Sequence, residues 1–255
     1  MIDYSLRPLF IYPGGSYYIY HRLKHFIPPH RIYVEPFCGS AAFFFVKPKT
    51  EVNVLNDINK RVVWLLKEVQ KGLSCEAIPI KQFDEIADKY NSGNYSPCDF
   101  LYINAFMFNG SGGIPRTSKI GKPYKAYLNK LEILDMYREK LQGVKILSQD
   151  YKRVVANYDS QETFFYFDPP WELEFAKRFY SQKDKFNLTE FVDVLNSIVG
   201  QFFAVFNYSD EVLSYFKKYL NRNIGIGSFA TKYAGNNIKG GKSSVKRLLL
   251  YRVYQ

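Results

Sequence analysis

The sequence is poor in the side chains that most often hold metal ions or act as nucleophiles. Its three histidines and three cysteines are His21, His25, His30, Cys38, Cys75 and Cys98. All three histidines fall in one short segment, so a histidine metal cage or a Ser-His-Asp arrangement is not expected. The cysteines form no CxxC pair. They predict neither a zinc site nor a disulfide framework, and they favour a reducing compartment.

Long hydrophobic runs are also missing. No stretch of about 18 apolar residues occurs, and the chain start has no charged segment followed by an apolar one. We therefore expect a cytoplasmic protein. Hydrophobic residues make up 47% of the 255 positions and charged residues 23%, which is enough apolar material for one sizeable domain, or one domain with an insertion.

Acidic residues are absent from two stretches, residues 107–130 and 232–247, which account for most of the net charge of +11. Such local basicity is typical of a surface that meets a polyanion, although two solvated loops would look the same. In the first stretch, Lys119, Lys122 and Lys125 recur every three residues and are predicted to contact phosphates. Arg116 follows a proline and is predicted to read a guanine. Lys239 and Lys242 in the second stretch are predicted phosphate contacts.

Strand-like and helical segments alternate at both ends of the chain. Strands are predicted at residues 31–34, 51–55, 144–147, 163–167 and 202–206, with a terminal pair at 224–231 and 248–254. This alternation predicts a mostly parallel, doubly wound α/β sheet. Residues 80–141 show helical pieces around a loop rich in Gly, Pro and Lys. The predicted domains are therefore a first catalytic part at 1–67, a helical insertion at 68–140 and a second catalytic part at 141–255.

The first strand and helix have the layout of a nucleotide-binding unit. The strand ends at Glu35, Gly39 permits a tight turn, and amide groups at the following helix start can meet polar cofactor groups. Asp57 lies at the tip of the second strand, where a carboxylate can accept hydrogen bonds from both ribose hydroxyls. An ordinary βα turn would share these features, because the GxGxxG pattern is absent.

The sharpest motif is Asp168-Pro169-Pro170-Trp171, directly after a predicted buried strand. Each proline fixes its φ angle and removes an N–H, so the turn is rigid and its carbonyls are uncommitted. Asp168 and the Pro169 carbonyl can each accept one N–H of an exocyclic amine, and Trp171 offers a ring that stacks on the base. A structural Pro-Pro turn with a buried tryptophan is the alternative.

In order, the segments EPFCG at 35–39, NDIN at 56–59 and DPPW at 168–171 resemble those of the Dam-like DNA adenine-N6 methyltransferases. The resemblance implies a Rossmann-like class I methyltransferase sheet with a terminal antiparallel strand pair and a mostly helical inserted target-recognition domain. It further implies S-adenosylmethionine as cofactor, double-stranded DNA as partner, a flipped-out adenine as substrate, no bound metal and, in some systems, a restriction endonuclease partner.

The same resemblance assigns residues to roles. Asp168, Pro169, Pro170 and Trp171 would form the catalytic motif, and Asn207 in the segment FNYS would wall the target-base pocket. The implied cofactor contacts are Tyr12, Gly14, Gly15, Glu35, Pro36, Phe37, Gly39, Asp57, Ile58, Asp150, Tyr151 and Asp168.

Four positions depart from the family pattern, and they leave alternatives open. Tyr12 stands where the family has tryptophan, Ser16 where it has lysine, Ala41 where it has a second glycine, and Trp171 where it has tyrosine. Methylation of RNA adenosine N6 or DNA cytosine N4 therefore remains an alternative, as does a nucleic-acid-binding module with a decayed cofactor pocket.

Overall fold

The structure, a computed structural model, describes residues 6–12, 17–107, 121–170, 186–232 and 244–254. Its strands are β1 (Ile32–Glu35), β2 (Val52–Asn56), β3 (Lys145–Leu147), β4 (Thr163–Phe167), β5 (Gln201–Asn207), β6 (Gly225–Lys232) and β7 (Ser244–Arg252). They form one seven-stranded sheet in the order β3-β2-β1-β4-β5-β7-β6. The first five strands of this order are parallel to one another, whereas β7 is antiparallel to both β5 and β6. The predicted fold class, including the terminal strand pair, is confirmed.

Helices cover both faces of this sheet. They are α1 (Tyr17–Leu23), α2 (Ala42–Val46), α3 (Lys60–Lys71), α4 (Phe83–Ser92), α5 (Pro97–Phe106), α6 (Gly121–Glu132), α7 (Leu134–Leu141), α8 (Tyr151–Tyr158), α9 (Leu188–Ser197) and α10 (Asp210–Tyr219). Every residue of β4 is buried, as expected for a central parallel strand covered on both sides.

Two hydrophobic clusters divide the core between the faces of the sheet. One contains Tyr33, Tyr166 and Val205 together with residues of α1, α2 and α4–α7. The other contains Val34 and Phe167 together with residues of α8–α10. The helices of the insertion therefore share a core with the sheet. The role of residues 68–140 as a target-recognition domain stays a prediction.

Helix α6 begins at Gly121, whereas the sequence predicted a basic loop that continued to about residue 129. Pro123 falls in the first turn of α6, where its missing N–H has no intrahelical partner to lose. The Gly-Pro-Lys composition was therefore wrongly interpreted as a loop over this part. Lys122 and Lys125 are exposed on α6, three residues apart and on one helical face.

The prediction that the cysteines form no disulfide was wrong. Cys75, in the link between α3 and α4, is bonded to Cys98 in the first turn of α5. Spacing in the sequence gave no sign of this contact, because the link folds back on α5 only once the insertion is packed. Cysteine usage accordingly no longer argues for a reducing compartment. In the described ranges, no helix has the length and apolar character needed to cross a lipid bilayer.

Side chains from the insertion hold the N-terminal segment, residues 6–12. The Asn104 amide on α5 accepts from the Ile11 N–H at 2.7 Å and donates to the Ile11 carbonyl at 3.0 Å. Tyr137 on α7 donates to the Arg7 carbonyl at 2.7 Å. Lys130 on α6 donates to the Leu9 carbonyl at 2.6 Å, and burial lowers its pKa to about 8. Lys130 therefore does not belong to the predicted polyanion-facing surface.

Removing the disulfide should destabilise the fold. The bond closes a loop with a sequence separation of 23, so the paired substitution Cys75→Ser and Cys98→Ser should lower the free energy of unfolding by about 2–4 kcal/mol in a urea titration. Reductant serves as the control, because it should bring the wild type to the stability of the variant and leave the variant unchanged. Equal stability of oxidised wild type and variant would contradict the bond's role.

Candidate active site

A buried carboxylate shapes the turn after β1. Asp57, directly after β2, accepts hydrogen bonds from the backbone N–H groups of Gly39 and Asn59, both at 2.8 Å. Its side chain is almost fully buried, and this burial raises its pKa to about 6. The sequence-based proposal of a ribose contact for Asp57 stays a prediction. The structure adds a second task, which is to fix the turn at Gly39.

Asn56 joins three loops at the same edge of the sheet, a role that the sequence analysis missed. Its side-chain amide donates to the Pro36 carbonyl at 2.9 Å and to the Gln149 carbonyl at 3.0 Å, and its oxygen accepts from the Gln149 N–H at 2.9 Å. The backbone carbonyl of Asn56 accepts from Cys38 N–H at 2.8 Å. The sequence offered one signal for this role, an asparagine directly before the aspartate at the predicted strand end.

The turn itself needs a glycine at position 39. Gly39 has a φ of 49°, and a Cβ there would lie 2.7 Å from the Tyr12 ring. Ala41 has a φ of 51° and is fully buried. An L-residue in this left-handed region costs about 1 kcal/mol, so the departure from the family glycine carries a conformational cost. The Tyr12 ring lies against this turn, and its assigned role as a cofactor contact stays a prediction.

Glu35 ends β1 as a fully buried acid. Burial raises its pKa to about 8, although the Tyr33 hydroxyl donates to it at 2.6 Å and the Phe44 N–H also donates to it. The neighbouring charge of Asp168 raises the pKa further. Lys47 lies 4.4 Å from the centre of the Tyr33 ring, and burial lowers its pKa to about 7. At neutral pH the Glu35 carboxyl is therefore mostly protonated, and it lies near the carboxyl group of Asp168.

Asp168 follows β4 directly, one strand away from Glu35 in the sheet. It is half-buried, Pro169 is buried and Pro170 is half-buried. Beneath them Tyr166 stacks on Phe43 of α2 with ring centres 3.9 Å apart. The motif therefore stands on a rigid base at the carboxyl ends of the central strands, where open α/β sheets bind ligands.

An aromatic wall flanks the turn on the β3 side. The rings of Phe37 and Tyr151 lie 5.0 Å apart, and Phe186 and Phe191 pack around them. The Tyr151 hydroxyl is buried and has no hydrogen-bond partner within the described ranges. Burial raises the pKa of Tyr151.

Polar groups of the β3–α8 connection border this wall. The side-chain oxygen of Gln149 is buried and, like the Tyr151 hydroxyl, accepts no hydrogen bond from any residue that the structure describes. Asp150 is exposed and caps α8 by accepting from Lys152 N–H at 2.8 Å. Ile58, after β2, has 36% of its surface exposed. Aromatic faces with polar atoms beside them suit contact with a heteroaromatic ring.

Asn207 ends β5 and accepts a hydrogen bond from the guanidinium of Arg247 on β7. Arg247 belongs to the stretch that the sequence assigned to a polyanion-facing surface, yet only 4% of its surface is exposed. Its neighbour Lys246 is exposed and lies 3.6 Å from the centre of the Tyr208 ring. Residues 244–247 of the predicted basic stretch thus belong to β7 and not to a loop.

Several predicted site residues lie outside the described ranges. They are Gly14, Gly15, Arg116, Lys119, Trp171, Lys239 and Lys242. Their assigned roles stay predictions. Among the residues that the structure does describe, no group of three or more His, Cys, Asp or Glu side chains is placed to hold a metal ion.

Residues 12–223 match the family model of the D12 class N6 adenine-specific DNA methyltransferases. The chain belongs to this family. The methyltransferase is therefore an enzyme that methylates N6 of adenine in DNA, and the predicted resemblance is confirmed.

The methyltransferase is also similar to characterised proteins. It is 24% identical to the type II methyltransferase M.MjaIII of Methanocaldococcus jannaschii, over 96% of this chain and 93% of that protein. It is 25% identical to the type II methyltransferase M.CviBI of Paramecium bursaria Chlorella virus NC1A, over 67% of this chain and 71% of that one. A DNA adenine methylase of Vibrio cholerae is 26% identical over 62% of each chain.

The protonated state of Glu35 predicts a pH effect on stability. The pKa of about 8 exceeds the ordinary 4.5, so the native state holds a proton that the unfolded chain releases between these values. This contribution is fully present below pH 4.5 and is lost as the pH rises through the folded pKa. Glu35→Gln keeps a neutral side chain. As the pH rises through this window, the unfolding free energy of the wild type should fall relative to that of Glu35→Gln by up to about 1.4 kcal/mol per pH unit.

Urea titrations of both proteins across this pH window measure the difference. The other titrating groups are common to both proteins, so their effects cancel to first order. Parallel pH curves would show that Glu35 titrates normally.

Proposed function

We propose that the methyltransferase transfers a methyl group from S-adenosylmethionine to N6 of an adenine flipped out of a short DNA sequence. The observation that carries this proposal is the position of Asp168 and Pro169. They lie at the carboxyl end of β4, one strand from Glu35 and the turn at Gly39. An amine-binding motif therefore stands beside a turn suited to a nucleoside cofactor.

The residues present fit this cofactor. The Tyr12 ring lies where a Cβ on Gly39 would stand, and the rings of Phe37 and Tyr151 offer aromatic faces beside the same turn. The unpartnered Gln149 oxygen and Tyr151 hydroxyl at the aromatic wall can pair with the polar edge of an adenine. Asp57 offers carboxylate oxygens to the ribose hydroxyls, and Glu35 offers a carboxyl oxygen at the end of the neighbouring strand β1. When bound, S-adenosylmethionine supplies an electrophilic methyl group carried on a sulfonium.

Asp168 and Pro169 orient the amine that receives the methyl group. The adenine N6 carries two N–H groups. One donates a hydrogen bond to an Asp168 oxygen and the other donates to the Pro169 carbonyl. This grip keeps the N6 lone pair out of conjugation with the ring and aims it toward the cofactor side of the sheet. The rate gain then comes mainly from alignment, since well-oriented reactants can gain about 7–11 kcal/mol over a bimolecular encounter.

Double-stranded DNA is the proposed partner, with the exposed Lys122 and Lys125 of α6 as phosphate contacts. The two type II methyltransferases among the relatives motivate a further proposal, a restriction endonuclease that recognises the same sequence. RNA adenosine N6 and DNA cytosine N4 offer a similar amine, and they become outcomes of the test below.

The decisive experiment is expression in a host without DNA methylation, followed by direct single-molecule sequencing of the host DNA. We expect adenine-N6 marks within one short motif. Marks on cytosine N4, or methylated RNA with unmodified DNA, would replace the proposed substrate. Absence of cofactor binding in calorimetry at millimolar S-adenosylmethionine would contradict the proposed cofactor.

Two aspartates should separate substrate chemistry from cofactor binding. Asp168→Asn should reduce methyl transfer by at least about 100-fold while cofactor affinity stays within a few-fold, because it loses a charged acceptor for the target amine. Asp57→Asn should instead weaken cofactor binding by about 1.5–3 kcal/mol and keep most turnover at saturating cofactor.

Steady-state kinetics and calorimetry measure both effects, and each variant is the control for the other. Wild-type turnover in Asp168→Asn would remove Asp168 from the grip on the amine. Unchanged affinity in Asp57→Asn would place the ribose contact elsewhere.

Sequence choice should depend on Arg116, and general affinity on Lys122. Arg116→Ala should relax the preference at one base pair by about 1–3 kcal/mol, because a guanidinium fork reads guanine O6 and N7 together. Lys122→Ala should weaken all sequences alike and lower the slope of log affinity against log salt by about one unit. Methylation of a randomised-site library measures the first effect. A wild-type motif in the Arg116→Ala profile would exclude base readout.

A further inference from the structure

Four polar side chains lie on one face of the sheet, at the ends of the adjacent strands β1, β4 and β5 and on the next strand, β7. Successive residues of a strand face opposite sides, so residues two apart share a face. Glu35 follows Tyr33, Asp168 follows Tyr166 and Asn207 follows Val205 by two positions, and these three apolar residues belong to one cluster. Arg247 is level with Asn207 on β7. The four residues on this face are Glu35, Asp168, Asn207 and Arg247. From Glu35 to Asp168 and from Asp168 to Asn207 the position moves two residues further along the strand direction.

Arg247 is a buried cation that has no acidic partner in the part of the chain that the structure describes. Only 4% of its surface is exposed, and its Nε has no hydrogen-bond partner. None of the ion pairs found among the described residues involves it. Its one hydrogen bond there goes to the neutral amide of Asn207. Burying a charge is costly unless an opposite charge or several acceptors satisfy it, so this guanidinium calls for an anion.

A second unsatisfied polar group lies on the neighbouring strand. Phe229 of β6 is level with Arg247 and packs against the same cluster, so Thr231, two residues further, faces the same side. Thr231 is 3% exposed, and its hydroxyl has no hydrogen-bond partner among the described residues. A hydroxyl and a guanidinium on one face are the donors that a phosphate oxygen accepts.

The other buried arginine of β7, Arg252, shows how this strand satisfies a charge internally. Arg252 is 6% exposed, and its Nε is likewise without a partner. Its guanidinium, however, donates to the Ile198 carbonyl, at the end of α9, and to Asn223. A helix C-terminus carries partial negative charge that favours a cation. Among the described residues, Arg247 donates to no backbone carbonyl at a helix C-terminus.

We propose that Arg247, with Thr231, forms a subsite for a phosphate of the target nucleotide. The proposal rests on the proposed function, since it takes the base that Asp168 grips as its reference point. In the sheet β7 is two strands from β4, which corresponds to about 10 Å at the usual spacing. This separation matches the reach of a nucleotide from its base to its phosphate. Poor access to water there strengthens the pairing of guanidinium and phosphate.

The test uses DNA duplexes in which a neutral methylphosphonate replaces the phosphate on the 5′ or the 3′ side of the target adenine. For the wild type, one of the two replacements should lower kcat/KM by roughly 10- to 100-fold. Arg247→Gln should lose a similar factor on the natural duplex and lose little more on the methylphosphonate duplex. Arg252→Gln is the matched control, because its effect should multiply with that of the methylphosphonate.

A full product of the two separate losses for Arg247→Gln would overturn the proposal, because residue and phosphate would then act independently. If Arg247→Gln does not fold, Arg247→Lys replaces it. Its loss should be confined to the natural duplex, and an equal loss on both duplexes would overturn the proposal. Absence of wild-type activity on every natural duplex would instead contradict the proposed function.

Discussion

The carboxylate of Asp57 accepts hydrogen bonds from the backbone N–H groups of Gly39 and Asn59 in a place that water hardly reaches. A buried carboxylate persists only where such donors satisfy it, so the turn after β1 and the start of α3 have to stay where they are. Asn56 extends the constraint to Pro36 and Gln149. The candidate cofactor contacts thus derive their positions from two adjacent side chains at the tip of β2.

This arrangement coincides with the point where the sheet reverses its winding. β2 and β3 lie on one side of β1, and β4 and β5 lie on the other. The connections that follow β1 and β4 therefore run in opposite directions, and a crevice opens between the carboxyl ends of these two strands. Glu35 and Asp168 border that crevice. The two acids differ in setting, because Glu35 is fully buried and mostly protonated at neutral pH whereas Asp168 is half-buried.

The sheet could be predicted from the sequence because each strand is a short apolar run that ends in a recognisable turn, such as EPFCG or DPPW. The same turns made Gly39, Asp57 and Asp168 candidate site residues, and their assigned roles stay predictions. Long-range pairings could not be found this way. The bond between Cys75 and Cys98, the contact of Asn104 with Ile11 and the pairing of Asn207 with Arg247 join residues that only the packed fold brings together. The start of α6 was missed because Gly and Pro are tolerated in a first helical turn.

The hold that α5, α6 and α7 exert on residues 6–12 affects how this enzyme can be re-engineered. Asn104, Lys130 and Tyr137 bind backbone groups of the segment that ends in Tyr12, and Tyr12 rests on Gly39. An insertion transplanted from a relative would bring different anchors and leave this segment untethered beside the cofactor turn. Chimeric enzymes with altered sequence choice should therefore exchange residues 6–12 and the insertion as a single cassette.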